Sequence, residues 1–210
     1  MDHYMTIEGS VQALCRMVQM RDPYTATHQH RVADLAFALA REMGLSEVRQ
    51  RGVQVAALLH DIGKIGVPSE ILSKPGQLTE CEFNIVQTHP RLSAEILSSI
   101  DFPWPVVTTA AQHHERLDGS GYPHGLVGEE IILEARILAV ADVVEAMSSH
   151  RPYRPALGLD KALAEISKYR GVKYDSKVVD VCLKLCRRND GLEALLETVN
   201  LDRMFSGSTV

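Results

Sequence analysis

Apolar residues recur at helical spacing along almost the whole of this 210-residue chain, while the alternation typical of β-strands is almost absent. Residues three and four apart lie on one face of a helix, so this repeat predicts amphipathic helices that bury one face. Aromatic residues make up only 5% of the chain, which suits helix packing better than a β-sandwich. We therefore predict an all-α fold. Two apolar stripes are the clearest. The first consists of Ile7, Val11, Leu14, Cys15 and Val18. The second consists of Val32, Leu35, Ala36, Leu39 and Met43, and it ends at Gly44.

Capping signals place several helices more closely. Ser46 predicts the start of a helix that runs to position 60. Thr79 and Glu82 form a capping-box pattern, so a helix should begin there and carry His89 near its end, where Pro90 interrupts or kinks it. Two loops rich in glycine and proline are expected at residues 62–77 and 117–130. Further helices are expected over residues 106–114, 133–147, 160–169, 176–187 and 192–199.

Length and charge exclude several classes of protein. The length predicts one domain with a small appendage, and the net charge of -5 gives no broad attraction to long nucleic acids. No apolar run approaches the roughly 18–20 residues that cross a bilayer, and no secretory signal begins the sequence. The scattered cysteines predict reduced thiols, with Cys182 and Cys186 buried as small apolar residues. We expect a soluble, cytoplasmic protein without membrane insertion.

Histidines and aspartates form the candidate site. Imidazole and carboxylate together suit first-row metals such as Fe, Mn, Co, Ni or Zn. An aspartate in the apolar run around position 142 also needs a cation to offset its burial. Five histidines and two aspartates exceed what one ion can use, so we predict two ions with one aspartate bridging them. The proposed ligands are His28, His60, Asp61, His89, His113, His114 and Asp142.

Such a site predicts phosphoester hydrolysis. Two metals about 3.5–4 Å apart can hold a hydroxide and stabilise the attacking and leaving oxygens of a displacement at phosphorus. Lys64 follows Asp61 by three residues and can bind a phosphate oxygen, which offsets charge in the transition state. The alternative for Lys64 is an ordinary solvated lysine at a helix end.

The motifs HDIGK, HHERLDGSGYP and RPYR resemble the HD-GYP family of bacterial phosphodiesterases, a branch of the HD superfamily of metal phosphohydrolases. This resemblance implies a helical HD bundle with additional C-terminal helices over residues 22–187. It implies hydrolysis of cyclic di-GMP to pGpG and in some members to GMP. Residues 1–21 would then be a core, dimer or linker helix, and residues 188–210 a short helix with a frayed tail.

By position, the family's metal ligands match the seven residues chosen above, with Asp61 and Lys64 as catalytic residues and Fe or Mn as the favoured ions. Zn, Ni and Co remain alternatives. The resemblance assigns substrate contacts to Lys64, Gly121, Tyr122, Pro123, Arg151 and Arg154. Both arginines have the alternative of capping a helix or pairing with acidic neighbours.

Four positions depart from the family pattern. Tyr24 stands where some members have a Glu ligand for a third metal, which favours two ions here. Leu117 replaces a usual Trp, His150 a usual Asp, and Ser93 a usual Gly after the His-Pro pair. None of these changes removes a proposed ligand. Loss of the Trp affects how the loop packs, which puts substrate preference or rate in question rather than metal binding.

Two other functions stay open. The fold can serve as a binding module that recognises cyclic dinucleotides or GGDEF-domain partners with weak or no turnover. An HD hydrolase of another nucleotide, such as cyclic GMP-AMP, is the other alternative. A homodimer is also possible, with the first apolar stripe as its surface. Intact ligands and Lys64 favour the enzyme.

Overall fold

The chain is mostly helical in the computed structural model, which describes residues 2–21, 23–149 and 156–188. Within these ranges there is no β-sheet, only two isolated bridges. The all-α prediction is confirmed. The α-helices are α1 (Asp2–Arg21), α2 (Pro23–Glu42), α3 (Glu47–Leu59), α4 (Ser69–Leu72), α5 (Glu80–Val86), α6 (His89–Leu97), α7 (Val106–Gln112), α8 (Leu133–Ser148), α9 (Leu159–Lys168) and α10 (Ser176–Arg188), with 3-10 turns at Ile62–Gly66 and Gly128–Glu130.

The core forms where α2 packs against α3 and α8. Leu35, Leu39, Leu58 and Leu138 from these helices are fully buried. Burial of each such side chain contributes about 2 kcal/mol to the free energy of folding. Helix α8 is apolar around most of its circumference because α2, α7, α9 and α10 surround it. The carboxylate of Asp142 therefore projects from a helix that is enclosed by others.

The end of α2 shows how local sequence stops a helix. Gly44 has a φ of 77°, a left-handed conformation that glycine adopts without strain. Its N–H donates to the Arg41 carbonyl at 3.0 Å, and the Leu45 N–H donates to the Ala40 carbonyl at 3.1 Å. This is the Schellman pattern of a helix C-terminus. It ends the second apolar stripe at the predicted residue.

The predicted starts of α3 and α5 are confirmed, but the position of His89 is corrected. The Ser46 hydroxyl accepts from the Arg49 N–H at 3.4 Å, and Thr79 forms a complete capping box with Glu82. Helix α5 ends at Val86, and His89 is the first residue of α6, not the end of a helix begun at Thr79. Pro90 has no N–H to donate and fits the first turn of a helix, so it starts a helix rather than kinking one.

Helix α1 packs along α2, α3 and the 3-10 turn that follows α3. Ile7 and Val11 of the first apolar stripe are buried, and Leu14, Cys15 and Val18 pack against the core while partly exposed. The predicted first loop contains that 3-10 turn and the short α4. The expected helix over 192–199 and tail lie outside the described residues.

Two further expectations concern the cysteines and the membrane. Cys182 and Cys186 are buried and free, as predicted. In the described part of the chain, no helix has both the length and the apolar character that a membrane crossing requires.

Candidate metal centre

The seven predicted ligands converge from five helices that are far apart in sequence. His28 lies within α2, Asp142 within α8, and His89 begins α6. The others stand at helix ends, with His60 and Asp61 directly after α3, and His113 and His114 directly after α7. Six are buried, and His114 is partly buried. The fold thus gathers distant residues around one small volume, as helix bundles do in carboxylate–histidine metal sites.

Their donor atoms separate into overlapping groups. His28, His60 and Asp142 form one group, and His89, His113 and His114 form another, each with its ligand atoms within 4.8 Å of one another. A third group of His60, Asp61 and His113 overlaps both, and no further group of this kind occurs among the described residues. Each outer group offers three donors, the number of protein ligands found in catalytic zinc sites that leave a position open for water or substrate.

Asp61 lies between the two outer groups. Its Oδ1 is 3.2 Å from His89 Nε2, and its Oδ2 is 3.4 Å from His60 Nε2. The two oxygens of one carboxylate therefore face ligands of different groups. This is the geometry of a carboxylate that can bridge two ions.

Three of the histidines are oriented by backbone carbonyl groups, those of His60 and His113 in the helix just before them and that of His89 at the end of α5. The Nδ1 atoms of His60, His89 and His113 lie 2.6–2.7 Å from backbone carbonyl oxygens three residues earlier. A carbonyl only accepts, so each Nδ1 carries the proton and each Nε2 keeps its lone pair. The buried Nε2 of His60 has no hydrogen-bond partner. Such a donor set fits a metal ion, which would supply the missing partner.

His28 is held by a carboxylate instead. Its Nδ1 bonds to Glu145 Oε2, and Arg31 Nε donates to the other oxygen of Glu145 at 2.9 Å. Its Nε2 lies 3.1 Å from Asp142 Oδ1. Burial lowers the pKa of His28, but hydrogen bonds and charge from Asp142 and Glu145 outweigh it and raise that pKa to about 9. An anion behind a ligand histidine strengthens its basicity toward a metal.

The protonation states of Asp61, His113 and His114 already suit cation binding. Burial raises the pKa of Asp61, but the charge of Lys64 and contacts with His60 and His89 hold it well below the usual range. Burial and neighbouring histidines hold the pKa values of His113 and His114 well below 6.5. Ionised carboxylates and neutral imidazoles are the forms that bind metals.

Lys64 reaches this cluster from the 3-10 turn Ile62–Gly66. Helix α3 does not continue beyond Leu59, and the Lys64 N–H donates to the Asp61 carbonyl at 2.9 Å. The Lys64 ammonium donates to Asp61 Oδ2 at 2.6 Å while its side chain stays 21% exposed. The residue is therefore paired at one end of the site but open to an incoming anion.

Gly121 and Tyr122 bring the second loop against the ligands. A Cβ at Gly121 would lie 2.4 Å from the Arg116 nitrogen and 2.5 Å from the His114 carbonyl oxygen, so only glycine fits. The Tyr122 ring lies 4.6 Å from the His114 ring at an interplanar angle of 30°. Pro123 follows through a cis peptide bond. The predicted substrate loop thus adjoins the candidate metal ligands.

Two predicted substrate residues, Arg151 and Arg154, lie outside the described residues, and the side chain of Tyr24 is likewise not described. Their roles stay predictions.

The HD domain family model matches residues 12–178. The chain belongs to the HD domain family. The resemblance inferred from the HDIGK and GYP motifs is confirmed, and the family accounts for the helical bundle around an adjacent His60–Asp61 pair.

Curated relatives of this HD domain are hydrolases of cyclic dinucleotides. The chain is 46% identical over 177 residues to the cyclic di-GMP phosphodiesterase response regulator RpfG of Xanthomonas campestris, covering 83% of this chain and 47% of the relative. It is 44% identical over 158 residues to the 3'3'-cGAMP-specific phosphodiesterase 3 of Vibrio cholerae, covering 75% and 34%. The chain therefore spans less than half the length of these relatives.

A solved structure shares the fold. An HDG"Y"P protein from Bdellovibrio bacteriovorus superposes with a TM-score of 0.63 over 76% of this chain and 51% of that chain, at 19% sequence identity. At this identity the likeness shows the fold alone.

Sequence reasoning missed three buried groups that support this HD domain's ligands. Glu145 stands three residues after Asp142 on α8, and that spacing on one helix face was an available signal. Glu115 follows the His113–His114 pair and accepts from the His124 and Leu126 N–H groups at 2.7 and 3.0 Å, which ties down the second loop. For the third, Ser93, the departure from the family pattern was noticed but its contacts were not predictable.

Ser93 joins three parts of the site. Its hydroxyl donates to the His60 carbonyl at 2.6 Å and accepts from the Gly63 N–H at 2.9 Å. The side chain is fully buried in α6, one turn after His89. One hydroxyl therefore connects the end of α3, the turn that carries Lys64, and the helix that carries His89.

Proposed function

We propose that this HD domain is a metal-dependent phosphodiesterase that hydrolyses cyclic di-GMP to pGpG, with further cleavage to GMP as a second step. The observation that carries the proposal is Asp61, whose two oxygens face two separate ligand groups beside a partly exposed lysine. The identity to a cyclic di-GMP phosphodiesterase over most of this chain supports the choice of substrate.

Two divalent ions are assigned to the two outer groups. One would be held by His28, His60 and Asp142, the other by His89, His113 and His114, with Asp61 shared. Bound there, the ions would supply Lewis acidity and activate a water for attack on phosphorus. We propose Fe or Mn as the ions, because mixed imidazole and carboxylate donors suit first-row transition metals.

The protein's own residues would bind and orient the phosphodiester. Lys64 would shift from Asp61 toward a non-bridging phosphate oxygen and stabilise the charge that develops there. Tyr122 keeps its phenolic proton, because burial and the charges of Asp142 and Asp61 raise its pKa above the usual value. It can therefore donate a hydrogen bond to the substrate. Arg151 and Arg154 are proposed as further contacts to the dinucleotide.

Cyclic GMP-AMP is a second candidate substrate. The specific observation in its favour is the 44% identity to a 3'3'-cGAMP-specific phosphodiesterase. A binding module, by contrast, places no demand on a paired set of ligands with a lysine beside them. Interaction with GGDEF-domain proteins and homodimer formation stay predictions.

The test is an anaerobic incubation of the purified protein with Fe(II) or Mn(II) and each cyclic dinucleotide, with products resolved by chromatography over time. We expect pGpG from cyclic di-GMP, suppressed by a chelator. Asp61→Asn should abolish turnover because a neutral amide bridges two cations poorly. Asp180→Asn, on the exposed face of α10, is the matched control. Metal-loaded protein that hydrolyses neither dinucleotide would refute the proposal.

A further inference from the structure

A cavity of about 250 Å³ lies between α1 and the loop that follows His60. Leu14 and Val18 of α1 form one wall, and Leu72 and Ile96 line it from the other side. Met17 and Ile65 also line it while 53% and 44% exposed. Large apolar side chains left exposed around a cavity mark a surface that a ligand can cover.

This cavity reaches the metal centre. Asp61 and Lys64 both belong to its lining. A second cavity of about 230 Å³ shares Lys64 and Leu72 with it and is lined on its far side by His89, His114 and Tyr122. Two cavities of nearly equal volume thus flank the lysine assigned to phosphate.

Each phosphate of a cyclic dinucleotide joins two nucleosides, so two cavities on either side of a phosphate-binding lysine can receive the two bases. The apolar walls of the α1 cavity suit the faces of a purine. Its polar side chains are Asp61, Lys64 and Arg21, and Asp61 is already paired with Lys64.

Arg21 is the group able to read the base. It ends α1, is exposed, and holds its place by donating from Nη2 to the Val67 carbonyl at 3.3 Å. Guanidinium pairs with the O6 and N7 acceptors of guanine, whereas adenine presents a donor at position 6. An arginine over an apolar pocket therefore favours guanine.

We propose that the α1 cavity is a nucleobase subsite of the active centre, and that Arg21 selects guanine there. The inference rests on the proposed function. It makes α1 part of the substrate site rather than only a connecting or packing helix. The second base would occupy the cavity beside Tyr122.

The test compares wild type, Arg21→Ala, Leu14→Trp and the control Arg16→Ala, an exposed arginine on the same helix outside the cavity lining. Kinetics with cyclic di-GMP and cyclic di-AMP are measured on metal-loaded protein. Arg21→Ala should raise KM for cyclic di-GMP about 10-fold and reduce the preference for guanine by a similar factor, since one bidentate base contact is lost. Leu14→Trp should raise KM for both substrates by filling the cavity, and Arg16→Ala should match wild type.

Metal content and far-UV circular dichroism show whether each variant keeps its centre and fold. Wild-type kinetics in both cavity variants would overturn the subsite. So would a fall in kcat at unchanged KM in Leu14→Trp, which would mean that the cavity accommodates a moving part or an effector. Failure of the wild type to turn over cyclic di-GMP would refute the proposed hydrolysis of cyclic di-GMP. Titration calorimetry of cyclic di-GMP on the same proteins would then decide the subsite, and equal affinities, or no binding, would overturn it.

Discussion

Replacing Ser93 with alanine tests whether its buried hydroxyl holds the centre together. The change leaves the His60 carbonyl and the Gly63 N–H without their partner, in a position that water does not reach because Ser93 is fully buried. Each buried group left unsatisfied costs about 1–3 kcal/mol. We therefore expect the free energy of unfolding to fall by about 4 kcal/mol, taking each of the two groups near the middle of that range. At about 2–4 °C per kcal/mol, the melting temperature should fall by about 8–16 °C.

Calorimetric unfolding of chelator-treated protein measures this loss without a metal contribution. Ser98→Ala is the matched control, because Ser98 directly follows the same helix but is exposed, and its hydroxyl donates to the Glu95 carbonyl at 2.7 Å. An exposed change of this kind should stay within about 0.5 kcal/mol of wild type. If Ser93→Ala also stays within about 0.5 kcal/mol, the cross-link contributes nothing and the reasoning is wrong.

Three further variants test the site and its surroundings. Glu145→Gln removes the anion behind His28 and should weaken metal binding about 10–100-fold, measured by chelator competition; unchanged affinity would exclude this supporting role. Gly121→Ala should lower kcat/KM about 10²-fold with metal content unchanged, since the new Cβ displaces the loop by its clash with backbone; normal kinetics would contradict that packing. Asp34→Asn should stabilise the protein more at pH 8 than at pH 5. Burial raises the pKa of Asp34 from 3.8 to about 7, although the charge of Arg31 opposes this shift. Ionised Asp34 therefore lowers the stability of the wild type as the pH rises from 3.8 through 7. In chemical unfolding, an equal effect of the substitution at both pH values would contradict this reasoning.

Helix placement followed from sequence wherever the signals were local. Gly44 ends a stripe and Thr79 with Glu82 starts a helix because capping depends on residues within one turn. The break before His89 was misplaced, because a proline allows either a kink or a new first turn. In the structure α6 starts anew and packs against the turn after α3 and against α7, contacts that the local sequence does not reveal.

The ligand types and the motifs were likewise available from sequence, because the chemistry of imidazole and carboxylate belongs to the residues themselves. The division of the candidate ligands into two groups around Asp61 depends on distances between helices. Some of these ligands, such as His28 and Asp142, are more than 100 residues apart in sequence. The supporting roles of Glu145, Glu115 and Ser93 arise in the same way. Periodicity reports which face of a helix is buried but not what that face meets. Sequence therefore determined the fold class and the candidate ligands, whereas tertiary packing alone decided which atoms meet and how the loops and α1 border the site.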